Sequence, residues 1–467
     1  MRQRRTDPTP WRGSSHITDS AFFADQFSTA EMRSVFDDSA LLQSWLDAEA
    51  ALARAEVEAG IVPIEAAEAI ERAAKADRLD WAAIKRGIDE TFHPIVPVVR
   101  ELARVADEER PDAGHYVHWG ATTQDIMDTG AVLQTRAGLD LVVREAEAIE
   151  RVLARLAATH ADTPMAGRTH GQHALPITFG FKVAVWLAEW RRHGARLADA
   201  RPRVLVGQLG GAAGTLAGFG ADARGIQARF CELLGLGAPP IAWHTARDGF
   251  AEVAFVLGLY SATLGKIARE VIALQKTEVA EIEEPWNEGK VGSSTMPHKR
   301  NPMICELIDG VSRLTRQEVA TALGGMVGEH ERDMGPWQAE WEWLPRLFLL
   351  TSSALAHGRR VLEGLVVYAD RMAANLDMTG GLILSEAIML RLAETIGRQH
   401  AHDVVYEVAM SVRVEGRDFR AALAAEPAVR DALSEAEVAA LLDPRSYLGE
   451  APWYARAVAD GSPQSRA

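Results

Sequence analysis

Residues 130–159, GAVLQTRAGLDLVVREAEAIERVLARLAAT, decide the fold. Within them Leu139, Val142, Ala146, Ile149, Leu153 and Leu156 recur at alternating steps of three and four. That spacing puts all six on one face of a helix, and so long and regular a stripe belongs to a bundle. Outward from it, Phe179, Val183, Trp186 and Trp190 mark a second helical stripe, and Phe250 to about Glu283 runs with almost no breaker. A fourth helix is predicted to begin near Pro302 and a fifth to run from about Leu344 to Val367. Upstream, Asp37–Gly60 carries Leu41, Trp45 and Leu52 on one face, with Gly60 placed to end that helix and Pro63 suited to the first turn of the next. With few β-rich runs, the pattern predicts an all-α chain around an extended central helical bundle. Domain boundaries are expected near residues 115 and 367, giving an arm at 1–20, a helical domain at 21–115, the long-helix bundle at 116–367 and a C-terminal helical domain at 368–467.

A chain of 467 residues exceeds what one hydrophobic core usually serves, which supports several domains. Its 48% apolar and 25% charged residues exclude a disordered chain, a collagen-like fibre and a small disulfide scaffold. The formal charge of −15 disfavours bulk nucleic-acid binding, since phosphate contacts need a basic footprint. Cys231 and Cys305 are too few for a disulfide framework or a cysteine zinc site. Arg2, Arg4, Arg5 and Arg12 are followed by Pro and Ser where a signal peptide would have its apolar core, and no stretch reaches the roughly 18 apolar residues of a membrane span. A cytoplasmic protein with no membrane partner is the expectation. The glycine-rich stretch at 207–220, GQLGGAAGTLAGFG, lacks both phosphate-loop patterns and reads as a tight turn or hairpin.

Residues 289–302, GKVGSSTMPHKRNP, carry the chemistry. Asn301-Pro302 is a helix-start signal, and a helix start offers N–H groups and a positive dipole end to an anion. His298, Lys299 and Arg300 add positive charge, and Ser293 and Ser294 stand beside them. A basic surface loop is the ordinary fate of such a run. Paired serines beside cations and a helix start can instead stabilise a serine alkoxide or a substrate oxyanion.

GSSTMPHKRNP resembles the signature loop GSSxMPxKxNP of the fumarase/aspartase superfamily. The block at 118–129, HWGATTQDIMDT, is similar to that superfamily's first carboxylate-binding block, and GRTHGQHALP at 167–176 to its second. The resemblance covers nearly the whole chain from about Ile17. It implies the superfamily's three-domain fold, a homotetramer with active sites shared among subunits, a small dicarboxylate substrate and no cofactor or metal. By motif position, Ser293 implies the base that removes a proton beside a carboxylate. Lys299 and Asn301, with Ser294, imply binders of that carboxylate and its aci-carboxylate intermediate. Thr122, Thr123 and Gln124 imply binders of the other carboxylate. His170 implies the histidine that pairs with a glutamate of another subunit, here Glu306, with His173 as the competing histidine. His93, His118 and Arg332 imply further substrate contacts. As isolated residues, the threonines would more often be helix caps, and the histidine and glutamate structural.

Within the superfamily, GEHERDMGPWQAEWEWLP at 328–345 and FSTAEMRSVF at 27–36 most resemble 3-carboxy-cis,cis-muconate cycloisomerases. Those enzymes typically carry Trp where His170 stands and a small residue where Glu306 stands, so having both suggests a lyase that releases fumarate. A nucleotide substrate, as in adenylosuccinate lyases, is disfavoured: Asp333, Glu340 and Glu342 would repel a phosphate, and the tryptophans would fill a nucleotide's space. The expectation is β-elimination from a substituted succinate, with nitrosuccinate (giving fumarate and nitrite) the preferred substrate. Cycloisomerase, adenylosuccinate-type C–N lyase and non-catalytic helical scaffold are the alternatives.

Overall fold

A computed structural model describes residues 14–286, 296 and 298–461. Among these the chain is all-α, and five long helices dominate: α1 (Thr123–Thr159), α2 (Phe179–Val204), α3 (Asp248–Leu274), α4 (Met303–Gly324) and α5 (Met334–Glu363). The stripe on α1 is buried as its spacing predicts at Leu139, Val142, Ala146, Ile149 and Leu153. At the next step Ala157 is buried and Leu156 only half-buried. A 3.6-residue turn drifts against a 3.5-residue repeat, so the buried face moves around the helix. Val132 and Val152 are buried too, so the interior covers more of α1 than the stripe alone requires.

Several bounds differ from expectation. Helix α3 stops at Leu274 and the chain turns through Ala280, whose φ is 54°, before a two-residue strand at Ile282–Glu283. Helix α5 begins at Met334, ten residues before Leu344, because Pro336 falls in the first turn, where a missing N–H costs no intrahelical bond. Helix α3 is also long and apolar enough to cross a membrane by length and composition, with 72% of its most apolar window buried inside the chain. This corrects the reading that no stretch reaches that length.

The chain divides into two compact units. The first comprises Met1–Ala146, His193–Gly265 and Leu307–Ala356. In it the helix Asp38–Glu58, capped by Asp37 on the N–H of Ala40 and followed by Gly60 at φ 72°, buries Leu42, Trp45, Leu46 and Leu52. The second unit comprises Glu147–Arg192, Lys266–Glu306 and His357–Ala467. Its C-terminal core gathers Ile388, Leu392, Val405, Phe419 and Leu423 around the helices Ser385–Ile396 and Arg398–Glu415.

The second unit also holds the feature that sequence periodicity missed. Strands β1 (Pro164–Thr169) and β2 (Gln172–Thr178) form an antiparallel hairpin with Thr169 opposite Gln172. His170 (φ 55°) and Gly171 (φ 75°) are its two loop residues. Two successive positive φ values are the type I′ reversal that matches the twist of a tight hairpin, and His is among the few non-glycine residues that adopt one readily.

Candidate functional site

The first unit gathers six of the expected binding residues around the start of α1. Asp125 builds that start. Its buried carboxylate accepts the N–H of Thr122 (3.0 Å), Gly210 (2.9 Å) and Gly211 (2.9 Å), and its Oδ1 lies 2.8 Å from His244 Nε2. The glycine-rich stretch is therefore no hairpin; it makes a tight turn at 211–214 and turns the N–H groups of Gly210 and Gly211 onto one of the chain's own carboxylates. Gly211 sits at φ 73°, a conformation that suits a residue without Cβ. The spacing Thr122-x-x-Asp125 is a capping-box pattern and was the available signal for Asp125.

On this platform Thr123 Oγ1 lies 3.1 Å from His93 Nε2. Gln124 donates to the carbonyl of His244 (2.8 Å) and accepts from Arg332 Nε (3.1 Å), while Arg332 Nη2 donates to the carbonyl of Ala212 (3.0 Å). The guanidinium is thus fixed by two neutral acceptors and keeps its charge uncancelled by them. Burial, with His118 and Arg332 nearby, holds His93 below the usual histidine range, so it is neutral at pH 7. For His118 burial pulls the same way, but Glu49, with Oε1 2.6 Å from Nδ1, outweighs it and leaves His118 above that range. Thr122 and Thr123 are half-buried, and Gln124 is buried. A fixed cation, hydroxyls and imidazoles at a helix start are groups that bind a carboxylate.

The second unit holds His170, Lys299, Asn301 and Glu306. His170 is exposed at the hairpin tip, and Glu306 is exposed in the first turn of α4. His173 stands opposite Arg168 in β2, is held low chiefly by burial and then by Arg168, and has a buried Nδ1 with no hydrogen-bond partner among the described residues. Lys299 and His298 are exposed and Asn301 half-buried. Ser293 and Ser294 lie outside the described residues.

Two expectations about the loop change. The N–H groups at the start of α4 are not open to a substrate anion: Glu284 accepts those of Ile304 (3.2 Å) and Cys305 (2.9 Å). Arg300 does not add free charge, since it pairs with Glu283 (3.1 Å) and lies over the Trp286 ring at 4.9 Å. The acidic residues invoked against a phosphate are also occupied. Glu340 and Asp128 both pair with the buried Arg247, Asp333 accepts the N–H of Glu329 and Gly335, and Glu342 lies 3.6 Å from Arg346. Glu340 is thus spent on Arg247, whereas Asp333 accepts only neutral N–H groups and keeps its charge, and Trp337, buried with its Nε1 on Asp128 (2.9 Å), occupies space.

Glu49 was missed in sequence reading. The signal was a carboxylate on an otherwise apolar face, with Leu42, Trp45, Glu49, Leu52 and Glu56 at helical spacing. Among the described residues no group of three or more His, Cys, Asp or Glu could hold a metal ion.

Residues 25–314 match the family described as "Lyase", and residues 381–458 match "Adenylosuccinate lyase C-terminus". The chain is 43% identical to an N-acetyl-S-(2-succino)cysteine lyase of Enterococcus italicus, over 93% of this chain and 95% of that protein. It is 44% identical to a 3-carboxy-cis,cis-muconate cycloisomerase of Pseudomonas aeruginosa, over 96% and 97%. The crystal structure of the 3-carboxy-cis,cis-muconate lactonizing enzyme from Pseudomonas putida is similar with a TM-score of 0.88 at 42% identity, covering 95% of this chain and 99% of that one.

Proposed function

Because the chain belongs to the fumarase/aspartase superfamily of lyases, we propose that it catalyses β-elimination from a substituted succinate, releasing fumarate. The observation that carries this reading is the cluster at the start of α1, where Arg332 is held by Gln124 and Ala212 beside Thr122, Thr123 and two imidazoles. Such a cluster suits one carboxylate of a dicarboxylate. In this reading Thr122, Thr123, Gln124 and Arg332 hold one carboxylate, while Lys299, Asn301 and Ser294 hold the other. Ser293, as alkoxide, takes a proton from the CH2 carbon, and charge collects on the adjacent carboxylate as the aci-carboxylate. The C–X bond then breaks, the substituent leaves with its electron pair, and the double bond of fumarate forms. His170 and Glu306, contributed by different copies of the chain, relay the proton. A homotetramer is supported by Val185, Phe255 and Leu323, apolar side chains that lie half-exposed on long helices in a single copy.

Nitrosuccinate is the substrate we prefer, because nitrite leaves as a stable anion and needs no general acid. A thioether of succinate is the second reading, favoured by the 43% identity to a succinocysteine lyase. The test is a substrate panel: nitrosuccinate, N-acetyl-S-(2-succino)cysteine, adenylosuccinate, argininosuccinate, aspartate and 3-carboxymuconate, followed by fumarate absorbance and by release of nitrite or thiol. Fumarate with stoichiometric nitrite supports the preferred reading, and fumarate with thiol moves the assignment to the thioether. Lactone formation without fumarate overturns the elimination. Ser293→Ala is expected to abolish turnover with the oligomer intact, and near wild-type activity would reject Ser293 as the base.

A further inference from the structure

The interior of the helix Asp38–Glu58 holds two carboxyl groups that no step above uses. Glu49 is buried and places Oε1 2.6 Å from His118 Nδ1, while its Oε2 is buried without a hydrogen-bond partner among the described residues. Glu56, seven residues on and hence on the same face, is fully buried, and neither of its carboxyl oxygens has such a partner. Burial and the charge of Glu49 push Glu56 up to about 8, so at neutral pH it holds its proton. Of the two, Glu49 is the one with a side-chain partner among the described residues, His118.

From this geometry we propose that Glu49 is a positioning residue: it orients His118 through Nδ1 and keeps the imidazole charged, so that Nε2 donates to the carboxylate held at the start of α1. The proposal rests on the dicarboxylate reading above. His118 itself sits at φ 63°, a left-handed conformation that His adopts more readily than most residues, and the contact with Glu49 fixes its side chain there. The other titratable groups acting on His118 are His93 and Asp125. His93 is neutral, and the Asp125 carboxylate is already shared among three backbone N–H groups and His244. Among the described titratable groups, Glu49 makes the direct contact. A carboxylate on the far nitrogen of an imidazole fixes its tautomer and raises its basicity.

The test uses the full chain labelled with 15N-histidine, with the His118 signal assigned by its loss in His118→Asn. In the wild type His118 should titrate above free histidine. Glu49→Gln should lower that midpoint by about one pH unit or more and weaken fumarate binding, measured by calorimetry, about tenfold. Glu49→Asp should restore part of both, which a merely structural role would not do. Glu56→Gln replaces a neutral group by a neutral group and should leave both at wild-type values. An unchanged His118 midpoint in Glu49→Gln overturns the proposal. Failure of the wild type to bind fumarate would instead strike the dicarboxylate reading, and the histidine titration would still decide the pairing.

Discussion

Arg168 and Glu281 meet in a two-point ion pair, with Nη1 2.9 Å from Oε2 and Nη2 2.6 Å from Oε1. Glu281 is fully buried, and its Oε1 also accepts from Asn375 (2.8 Å). The pair anchors the strand that leads into His170. Removing one partner of a buried pair leaves an uncompensated charge. Glu281→Gln should therefore destabilise the protein by roughly 3 kcal/mol in denaturant unfolding. It should also speed amide exchange in the hairpin ahead of global unfolding, and unchanged exchange at 169–172 would show that the pair does not hold the turn.

Glu306 tests the relay. It is exposed in the first turn of α4, as the proposed pairing with His170 of another copy requires. Glu306→Gln should lower kcat about 100-fold, a typical general-acid/base contribution, with KM nearly unchanged. On the proposed relay the pH–rate profile of this variant should change shape, whereas a profile of wild-type shape would remove Glu306 from the chemistry.

Arg332 tests the binding cluster. Arg332→Ala should lower kcat/KM roughly 10- to 100-fold, mostly through KM, which is the worth of a charged hydrogen bond. Arg332→Lys should recover little, because one ammonium cannot reach Gln124 Oε1, the Ala212 carbonyl and a carboxylate together. Full recovery by lysine would mean that only net charge matters here.

Glu56 makes stability depend on pH. Its carboxyl is raised from 4.5 to about 8 by burial and by Glu49, so between those values the folded chain holds a proton that the unfolded chain releases. Stability contributed by this group is complete below pH 4.5 and is lost as pH rises toward 8. Each tenfold change in proton affinity is worth about 1.4 kcal/mol, so the full effect is on the order of a few kcal/mol. Glu56→Gln should flatten the stability–pH curve across that window. Parallel curves for variant and wild type would show that Glu56 is ionised in the folded protein.

The helical frame was legible because apolar residues at steps of three and four leave a helix one buried solution, and Leu139, Val142, Ile149 and Leu153 are buried accordingly. The hairpin was not. GRTHGQHALPIT is too short for a period of two to stand out, and its bulge between Ala166 and Arg168 breaks the alternation. The roles of charges were the least legible. Glu284 caps α4, Arg300 pairs with Glu283 and Glu340 pairs with Arg247, all through partners distant in sequence or chosen among several nearby acids. Composition gives the sign of a charge, and only the fold says which opposite charge has already taken it. Glu49 lies between these cases: its place on an apolar face was visible, and its partner His118, 69 residues away, was not.

The reversal at His170-Gly171 separates the demands of folding from those of chemistry. Backbone angles at that corner are set by the ladder between β1 and β2, while the imidazole itself projects from an exposed tip. A change of side chain there disturbs no packed interior. A substitution at the corner therefore leaves the packed scaffold in place, and what limits the choice of residue is the positive φ that the turn requires.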